Sequence, residues 1–88
     1  ECLAAAGEAE GLAPDLALQL ARATVAGAGA LAMGSGTDPA ELRRNVTSPN
    51  GTTQAGLEVL MDAERGLPPL VRATVAAATR RSEELARG

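Results

Sequence analysis

The amino-acid sequence predicts an all-α protein, a small bundle of about five helices. Three observations carry that expectation. Alanine, leucine and valine recur at three- and four-residue steps, with arginine and glutamate on the outer faces between them. Glycine- and proline-rich breaks around Gly11, Gly34-Ser35-Gly36, Ser48-Pro49-Asn50-Gly51 and Gly66-Leu67-Pro68 cut the pattern into helix-sized pieces. No strand signal, internal repeat or low-complexity tract is present.

The first piece, about residues 1–10, carries Cys2, Leu3, Ala5, Ala6 and Ala9 and closes at Gly11. Gly7 weakens it by about 1 kcal/mol relative to alanine. The chain opens on Glu1 within a helical pattern, so we expect this to be the tail of a longer helix in a longer polypeptide. The second piece, Pro14 to about Met33, is the longest. Pro14 suits the first helical turn, and Asp15 complements the positive end of the helix dipole. Leu16, Leu20, Ala23, Gly27, Ala30 and Leu31 form its apolar stripe. Gly27 and Gly29 are poor helix formers, and close approach of another backbone is the best reason for them. Gln19 and Arg22 make this helix a poor membrane span, because charge at the centre of a span is costly.

Asp38-Pro39-Ala40-Glu41 reads as a capping box with proline at the first position, opening a short helix to about Val46. After the Ser48–Gly51 break, a helix from Thr53 to about Ala63 turns Leu57, Leu60 and Met61 inward, and Glu64-Arg65-Gly66 ends it. Leu67-Pro68-Pro69 starts the last helix, to about Ala86. Along it Val71, Val75, Ala78, Ser82 and Leu85 form a narrow seam of coiled-coil type, suited to packing within the chain or across a dimer.

With 88 residues the chain is one small domain. It has no Phe, Tyr or Trp, the residues that normally dominate core burial. Small alanine-rich helices bury little area each, which argues for help from a partner chain. The net charge is −3, with arginine the only cation and no aromatic stacking platform, so nothing favours nucleic acid. Arg43-Arg44 and Arg80-Arg81 sit among acids and read as solvated faces. Histidine is absent, which removes the usual general base and the commonest metal ligand. Cys2 is the single cysteine, fit for neither an internal disulfide nor a thiolate metal cage, and is expected to be a small buried apolar residue. No signal peptide is visible, and a cytoplasmic location is expected.

The chemistry concentrates in Asn45-Val46-Thr47-Ser48-Pro49-Asn50-Gly51-Thr52-Thr53-Gln54, around which the helices are organised. Pro49 removes a donor and fixes φ, while Asn50-Gly51 can take the positive φ of a tight turn. Thr52 or Thr53 stands where an N-cap belongs. A helix N-terminus presents unpaired N–H groups and partial positive charge, so the turn is a candidate carboxylate or phosphate site. Most such clusters between helices are connectors with a capping threonine, and chemistry alone favours that reading.

The stretch Val46-Thr47-Ser48-Pro49-Asn50-Gly51-Thr52-Thr53, followed by Gly56-Leu57 and Leu60, resembles the signature loop of pyrroline-5-carboxylate reductase. Gly11-Leu12, Leu20 to Ala28, Pro39-Ala40-Glu41-Leu42-Arg43 and Arg81-Ser82-Glu83-Glu84-Leu85 fall in that family's order and spacing. The resemblance covers essentially the whole chain. It implies that residues 1–88 are the C-terminal dimerisation and substrate-loop domain, interlocked with a partner chain as a homodimer. The family also forms larger rings of dimers, between which nothing in the sequence chooses.

An N-terminal dinucleotide-binding domain, holding NADPH or NADH, would lie outside this chain. Gly27-Ala28-Gly29 follows no strand and is no nucleotide fingerprint. The resemblance implies an enzyme that delivers hydride to the C=N carbon of the substrate and yields L-proline, with the fragment alone inactive. It implies substrate-binding roles for Ser48, Gly51, Thr52 and Thr53, through the N–H groups of Gly51, Thr52 and Thr53 and the hydroxyls of Ser48 or Thr53. It also implies a cofactor contact from Asn45. No residue here is assigned as catalytic acid or base, and none as a metal ligand. One departure stands out: Asn50 occupies a position where the family's loop usually has glycine. Asparagine is the side chain that best tolerates a left-handed backbone, so the turn is expected to survive. Two other readings fit the same residues: a non-catalytic helical oligomerisation module, and the helical domain of another two-domain reductase.

Overall fold

A computed structural model describes residues 1–88. It is all-α, with five helices and no strand: α1 (Cys2–Ala9), α2 (Pro14–Gly34), α3 (Pro39–Asn45), α4 (Thr52–Leu60) and α5 (Leu67–Arg87). Backbone contacts divide the chain into two units, residues 1–42 and 43–88.

In the first unit α1 packs on α2. The only buried apolar side chains of the chain lie here, Ala4, Ala17 and Ala21. A Cβ on Gly7 would meet the Ala17 Cβ and the Leu12 Cδ1 at 3.3 Å each, so α2 approaches α1 closely at Gly7. The propensity lost at Gly7 is thus exchanged for contact. The α1 terminus is a Schellman motif. Gly11 takes φ +102°, its N–H donates to Glu8 O at 2.9 Å, and Leu12 N–H donates to Gly7 O at 3.0 Å. The sharp reversal this creates brings α2 back against α1.

Pro14 opens α2 with Asp15 in its first turn, as the sequence predicts. The covered face differs from the predicted stripe. Ala17 and Ala21 face α1, one residue out of step with Leu16 and Leu20, which are nearly half exposed. Small side chains let α1 approach closely, whereas the leucine stripe marks the surface left open within the chain. Around Gly27 and Gly29 nothing lies within 4 Å of an added Cβ, so no intrachain backbone explains them. By length and composition α2 could cross a membrane, with mean hydropathy 1.4 over its most apolar window, although Arg22 interrupts it. Cys2, the first residue of α1, is exposed rather than buried.

Asp38 caps α3. Its Oδ2 accepts the Ala40 N–H at 3.1 Å, and its carbonyl accepts Glu41 N–H at 2.9 Å and Leu42 N–H at 3.0 Å. Glu41 in the first turn and Arg43-Arg44 in the last suit the helix dipole.

In the second unit α4 ends at Leu60, three residues before the predicted end. The reason is Asp62, whose Oδ2 accepts N–H bonds from Glu64 at 3.0 Å and Arg65 at 2.8 Å. Its carbonyl accepts Gly66 N–H at 2.9 Å. An aspartate that gathers three downstream amides stabilises a turn against helix continuation. Of the three residues expected to face inward, Leu57 is half-buried, while Leu60 and Met61 are exposed within the chain. Pro68 and Pro69 sit in the first turn of α5. The α5 seam is open: Val71, Val75 and Leu85 are 50%, 59% and 65% exposed. The outer face carries an exposed Arg81–Glu84 ion pair at 3.0 Å, of a kind that adds little stability.

Candidate functional site

The loop between α3 and α4 lies wholly within the second unit. It begins at Asn45, the exposed last residue of α3. Thr47 then finishes the helix: its Oγ1 donates to Arg43 O at 2.6 Å, and its N–H donates to Arg44 O at 3.1 Å. With those carbonyls satisfied the chain is free to turn.

Ser48-Pro49-Asn50-Gly51 forms a tight turn closed by Gly51 N–H donating to Ser48 O at 3.1 Å. Proline at the second position and a positive φ at the third are the signature of a type II turn. Asn50 has φ +60°, the one non-glycine residue of the chain with positive φ, as its tolerance for that region predicts. Gly51 is extended instead, at φ −87° and ψ 178°. What glycine provides at position 51 is room, since a Cβ there would lie 3.2 Å from Ser48 O.

Gly51 is also the N-cap of α4, so Thr52 and Thr53 occupy the first two helical positions and neither hydroxyl caps the helix. This corrects the expected capping threonine. The turn closure on Ser48 takes the N-cap role one residue earlier, and α4 starts at Thr52. It also removes Gly51 N–H from the predicted donor set, because that donor is already spent. The amides of Thr52, Thr53 and Gln54 point along the α4 axis with no acceptor in the chain. Three unpaired donors at the positive end of a helix are suited to a carboxylate. The exposed Ser48, Thr52 and Thr53 hydroxyls flank them.

Sequence reasoning gave no role to Gln54. Its Oε1 accepts the Asn50 N–H, reaching back across the turn from the third helical position. A Gln three residues after the N-cap is a recognisable signal, but the usual capping box directs it to the N-cap itself. Beside this contact lies an open depression of about 220 Å³ lined by Asn50, Gly51, Gln54, Ala55 and Glu58. Of the four predicted substrate residues only Gly51 lines it. The other three stand around the amides at the helix tip, and Glu58 adds an acid on the far side. The depression is therefore poorly suited to an anion, and the helix tip well suited.

Fold and loop together define a small helical domain with open apolar seams and a loop that offers backbone amides to an anion. A family model described as pyrroline-5-carboxylate reductase dimerisation matches residues 1–85. Relatives named pyrroline-5-carboxylate reductase are 46% identical over 81 residues in Pseudomonas aeruginosa, 47% over 85 in Pisum sativum and 47% over 87 in Arabidopsis thaliana. These alignments cover 92%, 97% and 97% of this chain, and 29%, 30% and 30% of the respective relatives. The chain belongs to the pyrroline-5-carboxylate reductase dimerisation family, and it spans about 30% of the length of these relatives.

Proposed function

We propose that this chain is the dimerisation and substrate-loop domain of a pyrroline-5-carboxylate reductase that reduces 1-pyrroline-5-carboxylate to L-proline. The observation that carries this reading is the set of three unpaired amides, Thr52, Thr53 and Gln54, displayed by the turn in a member of this family. They receive the substrate carboxylate, with the Ser48 or Thr53 hydroxyl adding a donor. Charge-assisted bonds of this type fix the orientation of the ring, so that its C=N carbon is held at one position. These groups position the substrate and transfer no proton.

The cofactor, NADPH or NADH, supplies the hydride when bound. A separate dinucleotide-binding domain holds most of it, and this chain alone is inactive. Asn45, an exposed amide at the end of α3 that can donate and accept, suits a polar contact with the nicotinamide end. Gly27-Ala28-Gly29 lies inside α2 and offers no phosphate-binding turn.

The partner is a second copy of the chain. Support comes from the surface area, 7213 Å². Two separately compact units of half this mass would expose about 5,800 Å² between them. The remaining ~1,400 Å² per chain corresponds to about 2,800 Å² across a two-fold interface, within the range of obligate dimers. Covering α2 and α5 with a partner rather than lipid also accommodates Arg22. A cytoplasmic location and the absence of nucleic-acid partners accompany this reading.

The test is Thr53→Ala in the full-length protein that contains this domain. The Thr53 hydroxyl makes no cap, so the melting temperature is expected to stay within about 2 °C, while KM for pyrroline-5-carboxylate rises about tenfold. An unchanged KM with a lowered melting temperature would make Thr53 a structural residue only.

A further inference from the structure

We propose that Gln54 is a positioning residue for the substrate loop, the clamp that holds Asn50 in its left-handed conformation and so aims the amides of Thr52, Thr53 and Gln54. The proposal rests on the reading of those amides as the carboxylate site.

The geometry that carries it is specific. Asn50 is the one side-chain-bearing residue of the chain at positive φ, a region that glycine enters freely and that asparagine tolerates best among the others but still at some cost. Its neighbours supply two restraints. Gly51 N–H is tied to Ser48 O across the turn, and Asn50 N–H is tied to the Gln54 side chain. Gln54 is half-buried and extends from the first turn of α4, so the bond joins the turn to the helix whose amides it displays. Without that bond, Asn50 can relax toward negative φ. The peptide plane between Asn50 and Gly51 then swings, and the first turn of α4 loses its fixed approach. A glycine at position 50 has no such tendency, because both signs of φ are open to it. Gln54 thereby matters to this chain because position 50 carries asparagine.

The experiment is a double-mutant cycle in the full-length protein, with Gln54→Met, which keeps the side-chain length and removes the amide acceptor, in the parent and in an Asn50→Gly background. Gln54→Met in the parent is expected to raise KM for pyrroline-5-carboxylate about five- to tenfold, the size of one lost hydrogen bond. kcat and KM for the nicotinamide cofactor are expected to change less than twofold. In the Asn50→Gly background the same substitution is expected to change the substrate KM less than twofold. Amide hydrogen exchange at Asn50 is read in parallel, and Gln54→Met is expected to accelerate it at least fivefold. Equal KM effects in both backgrounds, or no effect in the parent, would overturn the positioning role, as would unchanged exchange at Asn50. If the parent lacks pyrroline-5-carboxylate-dependent turnover, the functional reading fails. Accelerated exchange would then still uphold the clamp, and unchanged exchange would overturn it.

Discussion

Replacing Gly66 with alanine tests the turn that ends α4 and starts α5. The backbone there, at φ −95° and ψ −162°, is open to any residue, so conformational preference is no obstacle. Space is the obstacle. A Cβ on Gly66 would sit 2.4 Å from Leu60 O, 2.6 Å from Asp62 N and 2.7 Å from Asp62 O. All three are backbone atoms and cannot swing aside as a side chain would. The turn must open by about 1 Å to reach ordinary contact distance. That displacement falls on the three bonds gathered by Asp62, namely those from Gly66, Glu64 and Arg65. At about 1 kcal/mol per bond the cost is about 3 kcal/mol. For a domain of this size each kcal/mol lowers the melting temperature by about 4–8 °C, so a fall of about 12–24 °C is expected. The assay is thermal unfolding followed by circular dichroism at one fixed protomer concentration, because the midpoint of a dimer depends on concentration. A fall under 3 °C would refute the close approach around Gly66.

The other substitutions separate intrachain packing from the proposed interface. Ala17→Leu places extra volume against Gly7 at a close, buried contact of the first unit, and a loss of about 1–3 kcal/mol is expected in thermal unfolding. Gly27→Leu meets nothing within its own chain and raises helix propensity, so an isolated chain would gain up to about 1 kcal/mol. We expect instead a loss of dimer in sedimentation, because in the proposed dimer the partner's backbone would cover that glycine. Val75→Arg puts a charge in the open α5 seam, and sedimentation is expected to show at least a tenfold weaker dimer with helix content retained in circular dichroism.

Much of the fold was legible in the sequence because its signals are local. Pro14, Asp38-Pro39 and Pro68-Pro69 mark helix starts by their fixed φ or capping oxygen, and each lies at the predicted start. Two departures have a common cause. The early end of α4 depends on Asp62 collecting amides from residues beyond it, and the N-cap at Gly51 depends on the Ser48 turn closing first. Both are competitions between overlapping turns, and residue preferences alone do not rank them. The face of α2 that α1 covers was misread for another reason. A leucine stripe is the stronger hydrophobic signal, yet the intrachain contact uses alanines because close approach needs small side chains. At the site, the loop's position and its positive φ at Asn50 followed from residue types, whereas the Gln54 contact required knowing where the turn folds back.

The central claim is that a second copy of this chain completes the domain. Light scattering of the chain across a dilution series into the low micromolar range tests it most directly. A mass of about 17.6 kDa, twice the 8.8 kDa chain, is expected to persist, because ~1,400 Å² of excess surface per chain seeks cover. A well-folded species at 8.8 kDa throughout the series would contradict it. The open faces of α2 and α5 would then not be an interface between copies of this chain.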